Sequence, residues 1–99
     1  MSNNETIFYV YILTNKNHTV LYVGMTNNLT KRLKQHKGRI SGSFTKRYNI
    51  NKLVCFETTI YINNAIKREK QIKKWNREWK INLINDLNPD WNDLSSRFY

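Results

Sequence analysis

The sequence predicts an α+β fold: a three-stranded antiparallel sheet flanked by helices, in the order β-β-α-β-α-α. Three observations predict it. Two short runs of β-branched and aromatic residues near the N-terminus are separated by a polar turn, which reads as a hairpin. A third such run follows in mid-chain. Between and after them, apolar residues recur at helical spacing behind asparagines suited to capping. A chain of 99 residues, 39% hydrophobic and 13% aromatic, fits one domain with a single modest core.

The first strand is read as Ile7 to Leu13, apolar on both faces and therefore buried on both sides of a sheet. Thr14 to His18 is polar and turn-rich. Val20 to Gly24 repeats the strand composition, and Gly24 is read as its end, where backbone or ligand must come close. Asn27 or Asn28 caps a helix over Leu29 to Lys37, with Leu29 and Leu33 inward. Gly38 to Tyr48 reads as a basic loop, and Leu53 to Ile60 as the third strand. Asn63 or Asn64 caps a second helix to about Trp75, and Asn76 a third that runs to Leu87 and buries Ile81, Ile84 and Leu87. Asn88-Pro89 stops it. The remaining tail carries Trp91, Leu94 and Phe98, which fold back onto the domain.

Seventeen Lys and Arg against seven Asp and Glu give a formal net charge of +10. Such an excess repels itself within the fold and favours a polyanionic partner. Nucleic acid fits better than a membrane surface, because the cations are not gathered on one face of an amphipathic helix. Cys55 is alone, so no intrachain disulfide forms and a reducing compartment is expected. The longest apolar run has seven residues, Ile7 to Leu13, where a helical span needs roughly 20. The first five residues have neither part of a secretory signal. The expected location is the cytoplasm, with no membrane association.

The chemistry-bearing residues form an ordered set. Tyr11 closes Tyr9-Val10-Tyr11, and Tyr22 opens Tyr22-Val23-Gly24. Arg32 and His36 are one helical turn apart and form a stripe beside Leu29 and Leu33. Glu69 lies among lysines, yet Ala65, Ile66 and Ile72 place it on the inward stripe of its helix. Strand, turn, strand and basic helix can gather phenols, a guanidinium and an imidazole in one cleft. A carboxylate arriving from elsewhere would let that cleft hold a metal ion.

This set resembles the two-part signature of the GIY-YIG nuclease superfamily. The resemblance continues through Thr26, Asn28-Leu29, Arg32 and His36, then Phe44-Thr45-Lys46, Phe56-Glu57, and Ala65 with Arg68-Glu69-Lys70. It covers roughly residues 6 to 87, leaves a tail over 88–99, and makes residues 1–99 a single nuclease-like domain. The small stand-alone bacterial members are most similar. The glycine and isoleucine of the first signature are replaced by Tyr9 and Val10, which a strand tolerates.

The resemblance implies an endonuclease that hydrolyses DNA phosphodiester bonds with one divalent ion, Mg²⁺ or Mn²⁺. It implies that Tyr11 and Tyr22 line the site and that Tyr11, or a water held by the two phenols, begins the attack. Arg32 would bind the scissile phosphate, Glu69 would hold the metal, and His36 would assist proton transfer. A late asparagine, Asn82, Asn85 or Asn88, would support the site. Arginine's planar, permanently charged fork suits a phosphate, and Mg²⁺ accepts one carboxylate while keeping several waters.

Lys31, Lys46, Arg47, Lys67, Lys70 and Lys74 are the expected nucleic-acid contacts. Phosphate contacts position without specifying, so branched, flapped or damaged DNA is expected rather than a defined sequence, in repair or recombination. RNA ranks below DNA, and a partner protein could supply targeting. Two rivals stand beside this reading: a binding module with weak or lost catalysis, and an RNA-associated basic protein with structural tyrosines. Singly, Tyr11 and Tyr22 are ordinary packed tyrosines, and Glu69 with Lys73 is a surface pair worth about 0.3–0.5 kcal/mol. Trp75 and Trp79 are read as core or interface, with base stacking the less supported alternative.

Overall fold

The computed structural model describes residues 5–37 and 49–98, without the side chains of His36 and Lys37. Strands β1 (Phe8–Thr14), β2 (Leu21–Thr26) and β3 (Lys52–Thr59) form one antiparallel sheet in the order β2-β1-β3. Helix α1 (Leu29–Lys37) follows β2, and α2 (Ile62–Lys74) and α3 (Arg77–Leu87) follow β3. A short 3₁₀ turn, Leu94–Arg97, closes the described chain. The α+β architecture read from the sequence is the one observed.

The sheet is covered on both faces, which is why its strands lack a polar side. Val10 and Ile12 of β1 join Val23, Val54, Cys55, Ala65, Ile72 and Ile84 in a core beneath α2 and α3. Tyr11 and Leu13 join Leu29, Leu33, Ile50 and Leu53 in a second core beneath α1. A β-bulge separates the two registers of β1 with β3: Ile12 pairs with Cys55, and Leu13 with Leu53. The extra residue, Val54, therefore shares a core with its neighbour Cys55.

Local chemistry sets the element ends. Asn15 Oδ1 accepts from the amides of Thr19 at 2.8 Å and Val20 at 3.2 Å, which closes the hairpin turn. Asn28 Oδ1 accepts from the Lys31 amide at 3.0 Å and caps α1, and Asn76 Oδ1 does the same for Trp79 at 2.9 Å in α3. Three expectations change. Strand β2 does not end at Gly24 but runs on to Thr26. The flanking residue of α2 is Tyr61, with no side-chain cap, so Asn63 and Asn64 lie inside the first turn. Leu87 is 53% exposed, because α3 meets the sheet through Ile84 and its last turn points outward.

The tail folds back as expected and seals the outer edge of β3. Asn88 Nδ2 donates to the Val54 carbonyl at 3.0 Å, and Asp93 Oδ1 accepts from the Leu53 amide at 3.2 Å. Phe98 meets Tyr9 and Phe56 edge-on, at 5.9 and 5.3 Å between ring centres. Asn88, one of the late asparagines, is thereby committed to the fold, and Asn85 accepts from the Trp91 indole N–H at 2.7 Å. At the far end of the sheet His18, with φ of 58°, stacks on Trp91 at 4.7 Å. Its Nε2 lies 2.9 Å from Lys52 Nζ. An ammonium can only donate, so the imidazole there is neutral.

Two stability outcomes follow. Asn88→Ala leaves the Val54 carbonyl unpaired and should cost about 1–3 kcal/mol in urea denaturation; a loss below about 0.5 kcal/mol would contradict the clamp. Burial and the Lys52 ammonium hold His18 below the usual imidazole range. The unfolded chain then takes up the proton first. This contribution is complete above about pH 6.5 and fades as pH falls through the window beneath it. The drop in Tm between neutral and mildly acidic buffer should be smaller in His18→Asn, which tolerates the same backbone angle.

Candidate active site

Tyr11 is the centre of the site and is almost fully buried. It pairs across the sheet with Gly24 on one side and Phe56 on the other. A methyl group added at Gly24 would lie 2.5 Å from both Cζ and the hydroxyl oxygen of Tyr11. The missing Cβ is thus the space through which the Tyr11 ring crosses β2. Gly24 has an ordinary negative φ, so close approach, not conformational freedom, calls for glycine here. What comes close at Gly24 is the signature's own tyrosine.

The Tyr11 hydroxyl is pushed well above the usual phenol range. Burial is the first cause; Tyr22 raises it further, Arg32 opposes, and Glu69 adds to the rise. These influences come from β2, α1 and α2, so the fold brings four of the five expected catalytic residues within electrostatic reach of one phenol. Tyr22 and Arg32 are half-buried, between core and solvent. Glu69 is held in the same way, its side chain 22% exposed, with Oε2 3.4 Å from the ammonium of Lys73. The fifth, His36, lies on α1 one turn beyond Arg32, but its side chain is outside the described residues, as are Lys46 and Arg47.

Arg32 and Lys31 line a polar hollow of about 220 Å³ with Thr26, Asn27, Asn28 and Gln35, at the N-terminal end of α1. Amides at a helix start and two cations suit a phosphate. Lys70 and Lys74 are exposed on α2. Lys67 is not beside Glu69. It lines a larger hollow of about 580 Å³ between β3 and α2, which contains none of the expected catalytic residues. Of the expected catalytic residues the smaller hollow holds Arg32 and the larger none.

One pair was given no role by the sequence reading. Arg68 grips Glu57 with two bonds, Nε to Oε1 at 2.7 Å and Nη2 to Oε2 at 3.0 Å, and donates to Gln71 Oε1 at 2.7 Å. The fork locks α2 to β3 and so fixes where Glu69 stands. A signal was available: Glu57 is two residues from Cys55 on the strand face that meets α2, where an acid requires a cationic partner.

The chain matches the model of the GIY-YIG catalytic domain over residues 7–82. It belongs to the GIY-YIG family. This is a family of nucleases that act on DNA and generally depend on a divalent metal. Among curated proteins, the chain is 42% identical over 83 residues to a UPF0213 protein of Syntrophus aciditrophicus, covering 83% of this chain and 93% of that one. It is 43% identical over 76 residues to the UPF0213 protein CPE1444 of Clostridium perfringens, covering 77% and 81%. A more distant relative, at 32% over 80 residues, is the UPF0213 protein in the VLF1-GP41 intergenic region of Autographa californica nuclear polyhedrosis virus, covering 79% and 76%. No solved structure matches.

Overpacking a buried site costs about 1–3 kcal/mol. Gly24→Ala should destabilise by that order in denaturant melts. In a Tyr11→Ala background the same substitution should cost distinctly less, since the clash has gone. Equal costs in the two backgrounds would refute the crossing of β2 by Tyr11.

Proposed function

We propose that this GIY-YIG protein is a metal-dependent endonuclease that hydrolyses DNA phosphodiester bonds, with a preference for structure over sequence. The observation that carries the reading is the buried phenol of Tyr11, which passes β2 at Gly24 and whose ionisation feels Tyr22, Arg32 and Glu69 together. Residues 1–99 act as one nuclease domain, with 6–87 as its core. The setting is DNA repair or recombination in the cytoplasm, with branched, flapped or damaged DNA as substrate. A partner protein supplies any finer targeting.

The donor set fits Mg²⁺ or Mn²⁺. Among the described residues no three His, Cys, Asp or Glu gather to hold a metal, which leaves Glu69 as a single carboxylate. A hard ion that keeps its waters and takes substrate oxygens is suited to that set. The competing partner, Lys73, is 54% exposed, and such a surface pair is weak enough to yield. When bound, the ion supplies charge neutralisation and polarisation at the phosphoryl group.

The remaining roles belong to the chain. Arg32 holds the scissile phosphate and meets the negative charge that grows on its oxygens. Burial keeps Tyr11 a neutral phenol at rest, so it donates a hydrogen bond and orients the attacking water, and the phenolate is not the resting form. Tyr22 fixes the water from the other side, and His36 accepts its proton. Lys31, Lys46, Arg47, Lys70 and Lys74 contact flanking phosphates. These contacts make affinity fall steeply with salt.

Cleavage of supercoiled plasmid and of branched duplexes with Mg²⁺ tests the proposal. Arg32→Ala and Glu69→Ala should each lower the rate by about 10²–10³ or more, as loss of a transition-state stabiliser does. Their stability should stay within about 1 kcal/mol of wild type, since both side chains reach solvent. Unchanged cutting by both variants would overturn the assignment. DNA binding that survives EDTA, with no turnover under any metal, would instead mark a binding module.

A further inference from the structure

Glu69 and Arg68 are adjacent in sequence and so lie about 100° apart around the α2 axis. Glu69 acts electrostatically on the Tyr11 hydroxyl. Arg68 reaches Glu57 on β3, on a stripe with Asn64, Gln71 and Trp75 at spacings of three and four residues. The catalytic set uses none of these four.

The stripe is unusually well fixed. Glu57 and Gln71 hold the Arg68 guanidinium, and that guanidinium lies over the Trp75 ring at 5.0 Å. Trp75 meets Trp79 edge-on, at 6.0 Å and 74°. The backbone of Trp79 is itself tied, its amide donating to the Asn76 cap at 2.9 Å. Yet Trp79, at the end of this relay, remains 55% exposed. An indole braced on one edge and left open loses less freedom when a flat ligand stacks on it than an unbraced one would. The chain around it is basic, which favours an anionic ligand: from Lys67 to Lys80 seven Lys and Arg stand against two Glu, with Arg68 paired to Glu57 and Lys73 to Glu69. The hollow of about 580 Å³ on the Arg68 side of α2 mixes apolar Val10 and Ala65 with the hydrogen-bonding groups of Asn64, Lys67 and Gln71. Flat faces, negative charge and polar edges together describe unpaired nucleotides.

We propose that this flank, formed by α2 and the start of α3, docks single-stranded DNA, with one base stacked on Trp79 and the backbone running past Lys67 along the larger hollow. The surface is distinct from Tyr11, Arg32 and Glu69 of the candidate site. Trp75 is about 9 Å along the helix from Glu69. On the endonuclease reading, from which this takes only that the partner is DNA, a substrate with a duplex and a free strand would engage both sides of α2 at once. That would make the flank the source of the structure preference.

Binding of a fluorescent oligothymidylate, followed by anisotropy in EDTA, tests this without calling on catalysis. Trp79→Ala should weaken binding roughly 5- to 150-fold, the usual range for one stacked base. Trp79→Phe should keep most of the affinity, and blunt duplex should bind either variant within about twofold of wild type, since phosphate contacts remain. A measurement on the wild type needs no variant to fold: a bromodeoxyuridine oligonucleotide should photocross-link to the tryptic peptide Glu78–Lys80, which separates Trp79 from Trp75. Cross-links confined to other peptides, or undiminished binding by Trp79→Ala, would overturn the inference even if the protein cuts DNA. So would a dimer dispersed by Trp79→Ala with oligonucleotide affinity intact, or tighter binding of oligouridylate than of oligothymidylate. Loss of binding in Trp79→Ala from a protein that cuts nothing would sustain the inference and leave only the nuclease reading refuted.

Discussion

The Tyr11 ring crosses β2 through the space that Gly24 leaves open, and the rest of the site is arranged around that crossing. A phenol on the central strand of a sheet covered on both faces has no other short route to a rim. The crossing places its hydroxyl in a dry setting, where Tyr22, Arg32 and Glu69 all act on its proton. Low polarity strengthens each of those interactions beyond what solvent would allow. The same burial keeps the phenol protonated at rest.

Around this centre the fold works as a brace. β1 is paired on both edges, and β3 is pinned on its outer edge by Asn88 and Asp93 of the tail. α2 is fixed to β3 through the Arg68–Glu57 fork, which sets the rotation of the helix and so where Glu69 stands. The chain's positive charge would weaken so small a domain through self-repulsion. A tail that seals an edge and a charge pair that fixes a helix oppose that loss, and the cations stay available for an anionic partner. α2 therefore carries both Glu69, within electrostatic reach of Tyr11, and the Arg68–Trp75 stripe, which ends at the exposed Trp79 of α3.

Much of this was legible in the chain. The strands announce themselves by β-branched and aromatic runs, and α1 and α3 by asparagines whose side chains do cap them. Glu69 was recognisable because an acid on an apolar helical stripe needs a reason to be there. The reading failed where a residue's meaning depends on a neighbour distant in sequence. Gly24 was taken for a strand end, because nothing local reveals that Tyr11 requires its space. Leu87 was taken for core, because periodicity cannot say where a helix leaves the sheet. Asn88 looked free for the site until the tail closed on β3.

Sequence alone determined the element order, the dominance of positive charge and the membership of the signature residues in one ordered set, because periodicity, capping and composition are local properties. Only the tertiary structure decided which of these residues share a space: that Tyr11 answers to Tyr22, Arg32 and Glu69, that Arg68 and Lys67 face away from Glu69, and that Trp79 stands open. Those relations rest on ring crossings, sheet register and helix rotation. Each is fixed by packing between segments far apart along the chain, and no window of sequence contains them.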